Sequence, residues 1–356
     1  MEGAERALPG ARPQLWVRLM PWLLVAAVLL AQLLTPETVQ LEFAFAVIAP
    51  LTSLVYGVLG TSLVSATAIG VLIVPEVRSE HFSDGDLVSF GLIAAASAFL
   101  AWVRARRDAQ LVSVRSVAEA AQLAVLPPLP ARVGAVRCGA LYRAAERSAL
   151  VGGDLYDVQP GPYGVRAIVA DVQGHGLSAV GTVAALLGTF REAVLDEPEL
   201  AGVAARLDRR LVVDGERLDE GGELFATAVL MEFPDGAARE VRVVSCGHPP
   251  PLVVDGHGVR EVALEYGPPL GLGLADFRAP DPAAVPLAPT DVLLAHTDGV
   301  TEARDAEGVF YPLITRIPLE RDPAALVRAV WRDLSSYAGE VVDDVALLAL
   351  SVSRGE

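Results

Sequence analysis

VRAIVADVQGHGLSAVGTVAALLGTFREAVL, residues 165–195, is the stretch on which the reading of the fold turns. Its first seven residues form a short apolar run closed by Asp171 and a Gly-containing turn, which predicts a buried strand over 165–171. From 177 to 195 the apolar residues recur at helical spacing, predicting a helix that leaves the strand end directly. Further β-type runs stand at 223–233, 241–247, 291–298 and 344–352, and helical patterns at 198–213 and 323–337. Consecutive strands with helical returns specify an α+β domain of layered sheets with helices outside, over residues 127–356. The Pro- and Gly-rich stretch 249–290 reads as loops and short strands, because apolar residues keep recurring through it.

Upstream of that domain the composition changes. Of the 356 residues, 53% are apolar and 20% charged, which excludes a disordered chain, yet residues 16–103 are almost free of charge. A cytoplasmic tail, 1–15, is expected to precede a membrane region with four spans at about 16–34, 42–58, 60–76 and 87–103. The stretch between Glu42 and Glu76 has no charge and is too long for one span, so Gly60 is taken as the turn of a hairpin, either two full spans or a re-entrant pair. Arg6, Arg12 and Arg18 mark the start of the first span, and Arg104, Arg106 and Arg107 follow the last. Both ends are therefore expected in the cytoplasm of a multi-pass cell-membrane protein, with the lipid bilayer as a partner. The spans carry no central acidic or basic residue, which disfavours a transporter and leaves an anchor or a sensor.

Residues 104–126 place Leu111, Val114, Ala118, Ala121 and Val125 at alternating spacings of three and four. This helical signalling linker either packs on its own domain or joins two chains as a homodimer. Pro127, Pro128 and Pro130 end it. The formal charge is −16 and every basic residue is Arg, so phosphate-backbone attraction is missing and no nucleic acid is expected. Cys138 and Cys246 lack paired spacing, so neither a disulfide framework nor a Cys-ligated zinc site is indicated.

Four acidic residues share one setting, an Asp at the end of an apolar strand beside Gly or another Asp. They are Asp154 in VGGDLYD, Asp171 in VADVQGHG, Asp298 in AHTDGVTEA and Asp343 in VVDDVALLAL. Carboxylates gathered at strand ends repel one another unless a cation holds them, and carboxylate oxygens suit Mg2+ or Mn2+. Two such ions polarise a phosphoryl oxygen and lower the pKa of a water that attacks it, so the chemistry indicated is phosphoester hydrolysis. Singly, each Asp-Gly pair is only a turn signal. Strand alternation would send the side chains of Asp343 and Asp344 to opposite faces, so only one is expected to enter the cluster.

Taken in order, GGDLYD, ADVQGHG, SCGHPPPLV, GPPLGL, HTDGVTEARD and DDVALLAL resemble the SpoIIE-like branch of the PPM (type 2C) metal-dependent protein Ser/Thr phosphatases. AAQLAVLPPLP at 120–130 is similar to the segment that opens that branch, and the resemblance covers about residues 115–354. It implies a PPM-type β-sandwich flanked by helices, with two Mg2+ or Mn2+ ions at one end. By this analogy Asp171 bridges the ions, the carbonyl of Val172 ligates one, Asp298 and Asp343 complete the site, and Asp154 binds through or orients a water. Asp157 and Asp344 are expected either to hydrogen-bond to ligands or to be structural. His175 is either a proton donor to the leaving oxygen or a turn residue that hydrogen-bonds to a ligand. Arg143 is either a donor to the substrate phosphate or a salt-bridged surface residue.

The sequence departs from the pattern at Ser245, Cys246 and His296 without removing a carboxylate. The resemblance further implies a phosphorylated cytoplasmic substrate, an anti-sigma-factor antagonist of the STAS type. The rival reading is a catalytically inactive membrane scaffold that binds a phosphoprotein. Gly-Gly-Asp lacks the Glu-Phe of a diguanylate cyclase, and Gly271-Leu272-Gly273 lacks the third glycine of a dinucleotide fingerprint.

Overall fold

The computed structural model describes residues 15–34, 45–73, 84–126, 128–144, 152–174, 177–217, 224–235, 239–274, 281–339 and 341–352. The chain divides into two compact units, Met1–Ser113 and Val114–Glu356.

The first unit is helical: α1 (Leu15–Leu34), α2 (Phe45–Val55), α3 (Val58–Leu72) and the start of α4 (Asp84–Val125). Val25, Ile48, Val64, Ala68 and Phe90 form its core, so each helix contributes at least one residue. Its interior also holds Thr52, Ser53, Thr61, Ser65 and Ser97, while Leu23, Leu59, Leu63, Leu92 and Phe99 are exposed. Large apolar side chains thus face outward although hydroxyls lie inside, which is not how the surface of a water-soluble domain is ordinarily made. Among the described residues one helix, Gly85–Ala109, is long and apolar enough to cross a membrane; the other apolar helices are shorter, at Leu19–Ala31, Ala46–Val55 and Val58–Val71.

One expectation changes here. The break between the second and third segments falls at Tyr56–Gly57 rather than at Gly60, which lies inside α3. Gly57 has extended backbone and caps α3, and the Arg104 guanidinium donates to the carbonyls of Leu54 and, at 3.1 Å, Tyr56, occupying orphan acceptors at the end of α2. Helix α4 continues from Asp84 to Val125 without interruption, so the fourth expected span and the expected linker share one helix. The side chains of the heptad positions at 111–125 lie outside the described residues.

The second unit has four layers. Sheet A runs in the order β1 (Arg132–Val133), β2 (Val136–Arg143), β12 (Val345–Val352), β11 (Val292–His296), β7 (Leu252–Val254) and β8 (Val259–Glu261). Sheet B runs β10 (Ala283–Pro286), β6 (Glu240–Cys246), β5 (Ala226–Phe233), β4 (Gly164–Val172) and β3 (Asp154–Gly161), with β9 (Tyr266–Gly267) beside β6. Helices α5 (Leu177–Asp196) and α6 (Leu200–Gly215) cover sheet B; α9 (Pro323–Ala338) and the single turns α7 (Asp298–Thr301) and α8 (Leu313–Arg316) pack on sheet A.

VALLALSV at 345–352 is buried at every position because β12 lies between β2 and β11, with sheet B on one face and α9 on the other. Leu326, Val327, Val330 and Leu334 form the buried stripe of α9, which starts on an Asp322 cap that accepts from the Ala325 N–H at 2.9 Å. Arg166, wholly buried in β4, donates to Glu232 and to the carbonyls of Glu197 and Pro198, fixing the turn between α5 and α6 onto the sheet.

Candidate functional site

The two sheets meet at one end of the sandwich, and the predicted acids arrive there from both. In sheet B, Asp154 opens β3 and lies directly opposite Asp171 near the end of β4. Each belongs to the inward-facing set of its strand, with Tyr156 and Val158 on one and Val169 and Ala167 on the other, so both acids share the face toward sheet A. In sheet A, β11 ends at His296 and leads into Asp298, the first residue of α7, while Asp343 and Asp344 lead into β12 beside it.

Thr297 ties the sheets together at this point. Fully buried, its hydroxyl donates to Asp154 Oδ2 at 2.7 Å and accepts from the Ala346 N–H at 2.9 Å, while its own N–H donates to the Ala346 carbonyl. Sequence reasoning did not single it out; the available signal was a hydroxyl residue between a buried strand and an Asp-Gly turn.

Three glycines permit the close approach. A Cβ on Gly152 would sit 1.4 Å from Asp344 Oδ2, one on Gly153 would sit 2.1 Å from the Val172 carbonyl oxygen, and one on Gly299 would sit 1.9 Å from the Asp344 carbonyl oxygen. The requirement at Gly152 and Gly153 is space, since neither has a positive φ. Gly174, just after Asp171 and Val172, does have one, at 101°.

Burial, then the neighbouring charge of Asp171, holds the Asp154 carboxyl well above the usual carboxylate range despite the Thr297 hydrogen bond. Asp171 is pushed up to about 7 by burial and then by Asp298, Asp343 and Asp344. Asp298 is raised by burial, followed by Asp343 and Glu302. Asp343 and Asp344 thus both direct charge at Asp171. Both precede β12, which begins at Val345, so the strand alternation assumed for them does not operate there.

Among the described residues no three His, Cys, Asp or Glu side chains already stand close enough to enclose an ion. The donor chemistry nevertheless fits a hard divalent cation. The acids raise one another's proton affinity, no guanidinium of the described residues is among the groups acting on Asp154, Asp171 or Asp298, and a 2+ ion would reverse the repulsion that they exert. The residues that would hold it are Asp171, Asp298, Asp343, Asp154 and the Val172 carbonyl.

Other predicted residues lie apart. Asp157 belongs to the opposite face of β3 from Asp154 and pairs with Arg191 of α5 at 2.7 Å, so strand parity removes it from the acidic cluster and makes it structural. Arg143 is exposed at the end of β2, donates to the Tyr142 carbonyl and lies over the Trp331 ring at 5.6 Å. His175 lies outside the described residues. His248 is a buried bridge, with Nδ1 2.8 Å from the Thr227 hydroxyl and Nε2 3.0 Å from the His296 carbonyl; burial pulls its pKa down to about 3, so the ring is neutral. The departures at 245–246 are absorbed locally: the Ser245 hydroxyl donates to the His248 carbonyl, and Cys246 is buried with its thiol pushed up to about 12.

The profile of Stage II sporulation protein E (SpoIIE) matches residues 161–353, more than half of the chain. The phosphoserine phosphatase RsbP of Bacillus subtilis (strain 168) is 30% identical over 172 residues, 47% of this chain and 40% of that protein. The chain thus spans about two fifths of the length of this curated relative. Among solved structures, the SiaA-PP2C domain of Pseudomonas aeruginosa superposes with a TM-score of 0.57 at 20% identity, covering 70% of this chain and 99% of that one. The PP2C phosphatase domain of SpoIIE from Bacillus subtilis, with a fragment of its regulatory domain, gives 0.52 at 17% identity, covering 62% and 64%. These likenesses establish a PPM-like α+β fold for the second unit.

Proposed function

Because the chain belongs to the Stage II sporulation protein E (SpoIIE) family, we propose that it is a membrane-anchored, Mg2+- or Mn2+-dependent phosphatase that hydrolyses a phosphoester on Ser or Thr of a cytoplasmic regulatory protein. The observation that carries this reading is the convergence of Asp154, Asp171, Asp298, Asp343 and Asp344 from both sheets at one end of the sandwich, where burial and mutual repulsion raise the proton affinity of Asp154, Asp171 and Asp298. Bound there, divalent cations supply charge stabilisation for the phosphoryl oxygens and an acidified water.

The chain's own residues do the positioning. Asp171, Asp298, Asp343 and the Val172 carbonyl hold the ions, while Asp154, fixed by the Thr297 hydroxyl, holds a proton or orients a water at the buried edge. The three glycines let these groups approach. The substrate we propose, a STAS-type anti-sigma-factor antagonist, rests on the sequence resemblance, and the phosphoserine phosphatase among the relatives is in keeping with it.

Anchoring through four spans is supported by the exposed leucines and buried hydroxyls of the first unit. The contact of Arg104 with the end of α2 supports an α2–α3 turn on the same side of the bilayer as Arg104, Arg106 and Arg107, as four crossings with cytoplasmic ends require. Helix α4 then carries a signal from the membrane, or a dimer contact, through 104–126.

The test is phosphate release by the full chain in detergent, from a phosphorylated STAS-type protein and from an aryl phosphate, with Mn2+ and with chelator. Release only with Mn2+, falling at least about 100-fold in Asp171→Asn and in Asp298→Asn, is the expected result. No release together with no cation binding by calorimetry would replace the enzyme with an inactive scaffold.

A further inference from the structure

Beside the acidic cluster lies a cavity of about 360 Å3 that the proposed chemistry does not use. Leu252, Leu313 and His296 are its buried lining, Pro249 and Pro250 are half-buried, and Ile314 is exposed. It opens at the same end of sheet A as the acids. Leu294 of β11 pairs with Leu252 of β7, and continuing that register sets Pro250 across from His296, two residues before Asp298. Thr301, also in the lining, closes the single turn that Asp298 opens, its hydroxyl donating to the Asp298 carbonyl at 3.1 Å. Residues three apart on a helical turn differ by about 4.5 Å along its axis, and an extended peptide advances about 3.3 Å per residue.

We infer that this cavity is a specificity pocket for the phosphorylated protein, receiving an aliphatic side chain two to four residues from the phosphorylated Ser or Thr. The proposal rests on the phosphatase reading above. The volume suits one such side chain, and the lining is apolar apart from Thr301, Thr315, His296 and Glu261. Glu261 and the acidic cluster lie on a chain of net charge −16, so the accepted segment is aliphatic with neutral or basic neighbours, and an acidic residue at the same position is rejected.

The experiment uses the full chain in detergent with Mn2+ and phosphoserine peptides in a Gly/Ser background. Each peptide carries one Leu, or one Glu, at a position within four residues of the phosphoserine. Leu at one position, two to four residues away, should raise kcat/KM at least about tenfold through KM, the scale of one buried aliphatic side chain, and Glu there should not. Ile314→Asp should abolish that preference and Ile314→Leu should keep it, both leaving aryl phosphate hydrolysis within about twofold. Fluorescence anisotropy of the same peptides in their unphosphorylated form reads the pocket without turnover. Equal values for all peptides, or a Leu preference that survives Ile314→Asp, would overturn the pocket. Absence of aryl phosphate hydrolysis with a retained anisotropy preference would overturn the enzyme reading instead.

Discussion

The helical unit and the sandwich put their polar groups in opposite places, for different reasons. In the bundle, hydroxyls of Thr52, Thr61, Ser65 and Ser97 are inside while Leu23, Leu59, Leu63 and Phe99 face out. In the sandwich the interior between the sheets is mostly Val, Leu and Ala, buried Arg166 is paired with Glu232, and Asp154 and Asp171 face each other at one end. An apolar exterior is unfavourable in water and favourable in lipid. A cluster of buried like charges is unfavourable everywhere unless a cation joins it. On the proposed reading the first unit reports a lipid solvent and the second a cation ligand.

Charging the outside of the bundle should have the largest effect. Leu23→Asp combined with Leu63→Asp is expected to cost about 3 kcal/mol per site in the bilayer, releasing the protein from membranes at alkaline carbonate extraction; retention there would remove the lipid-facing reading. Crowding the acids comes next. Gly152→Ala should lower stability by about 2 kcal/mol in denaturant titration and reduce Mn2+-dependent phosphate release at least about tenfold, because its methyl group would occupy the place of the Asp344 carboxylate.

The pH dependence of the sandwich should be of similar or smaller size. Between the ordinary His pKa of 6.5 and about 3, the unfolded chain binds a proton at His248 that the folded chain does not, so stability falls as pH falls. From pH 7 to pH 5 this amounts to about 2 kcal/mol, and His248→Gln should flatten the pH dependence of the urea midpoint by that amount. An unchanged slope would mean that the ring is charged in the fold. The smallest effect is expected inside the bundle. The Thr61 hydroxyl has no hydrogen-bond partner among the described residues, so Thr61→Val should stay within about 0.5 kcal/mol in thermal unfolding in detergent.

Much of the second unit was legible in the chain because its strands are buried on both faces and its helices on one. The apolar run of β12 and the Leu326–Leu334 stripe of α9 follow from those environments. The acids were legible as a set because each stands at the edge of such an element. Asp157 was not separable from Asp154 by composition, only by the parity of β3, which turns it toward Arg191. The alternation argument at Asp343 and Asp344 assumed a strand, whereas β12 begins at Val345. In the first unit Gly60 attracted the turn, but Gly57, capped by extended backbone next to carbonyls that accept from Arg104, takes it.

By itself the sequence determined which segments bury apolar surface, where they stop, and which hard oxygen donors stand at those stops, since periodicity and turn chemistry act over a few residues. The tertiary structure decided which stops coincide. Asp154 meets Thr297 across 143 positions of sequence. Gly152 lies against Asp344, and Pro249 and Leu313 line one cavity. Such meetings depend on strand order, register and the space left by a missing Cβ, which are properties of packed sheets rather than of any local run of residues.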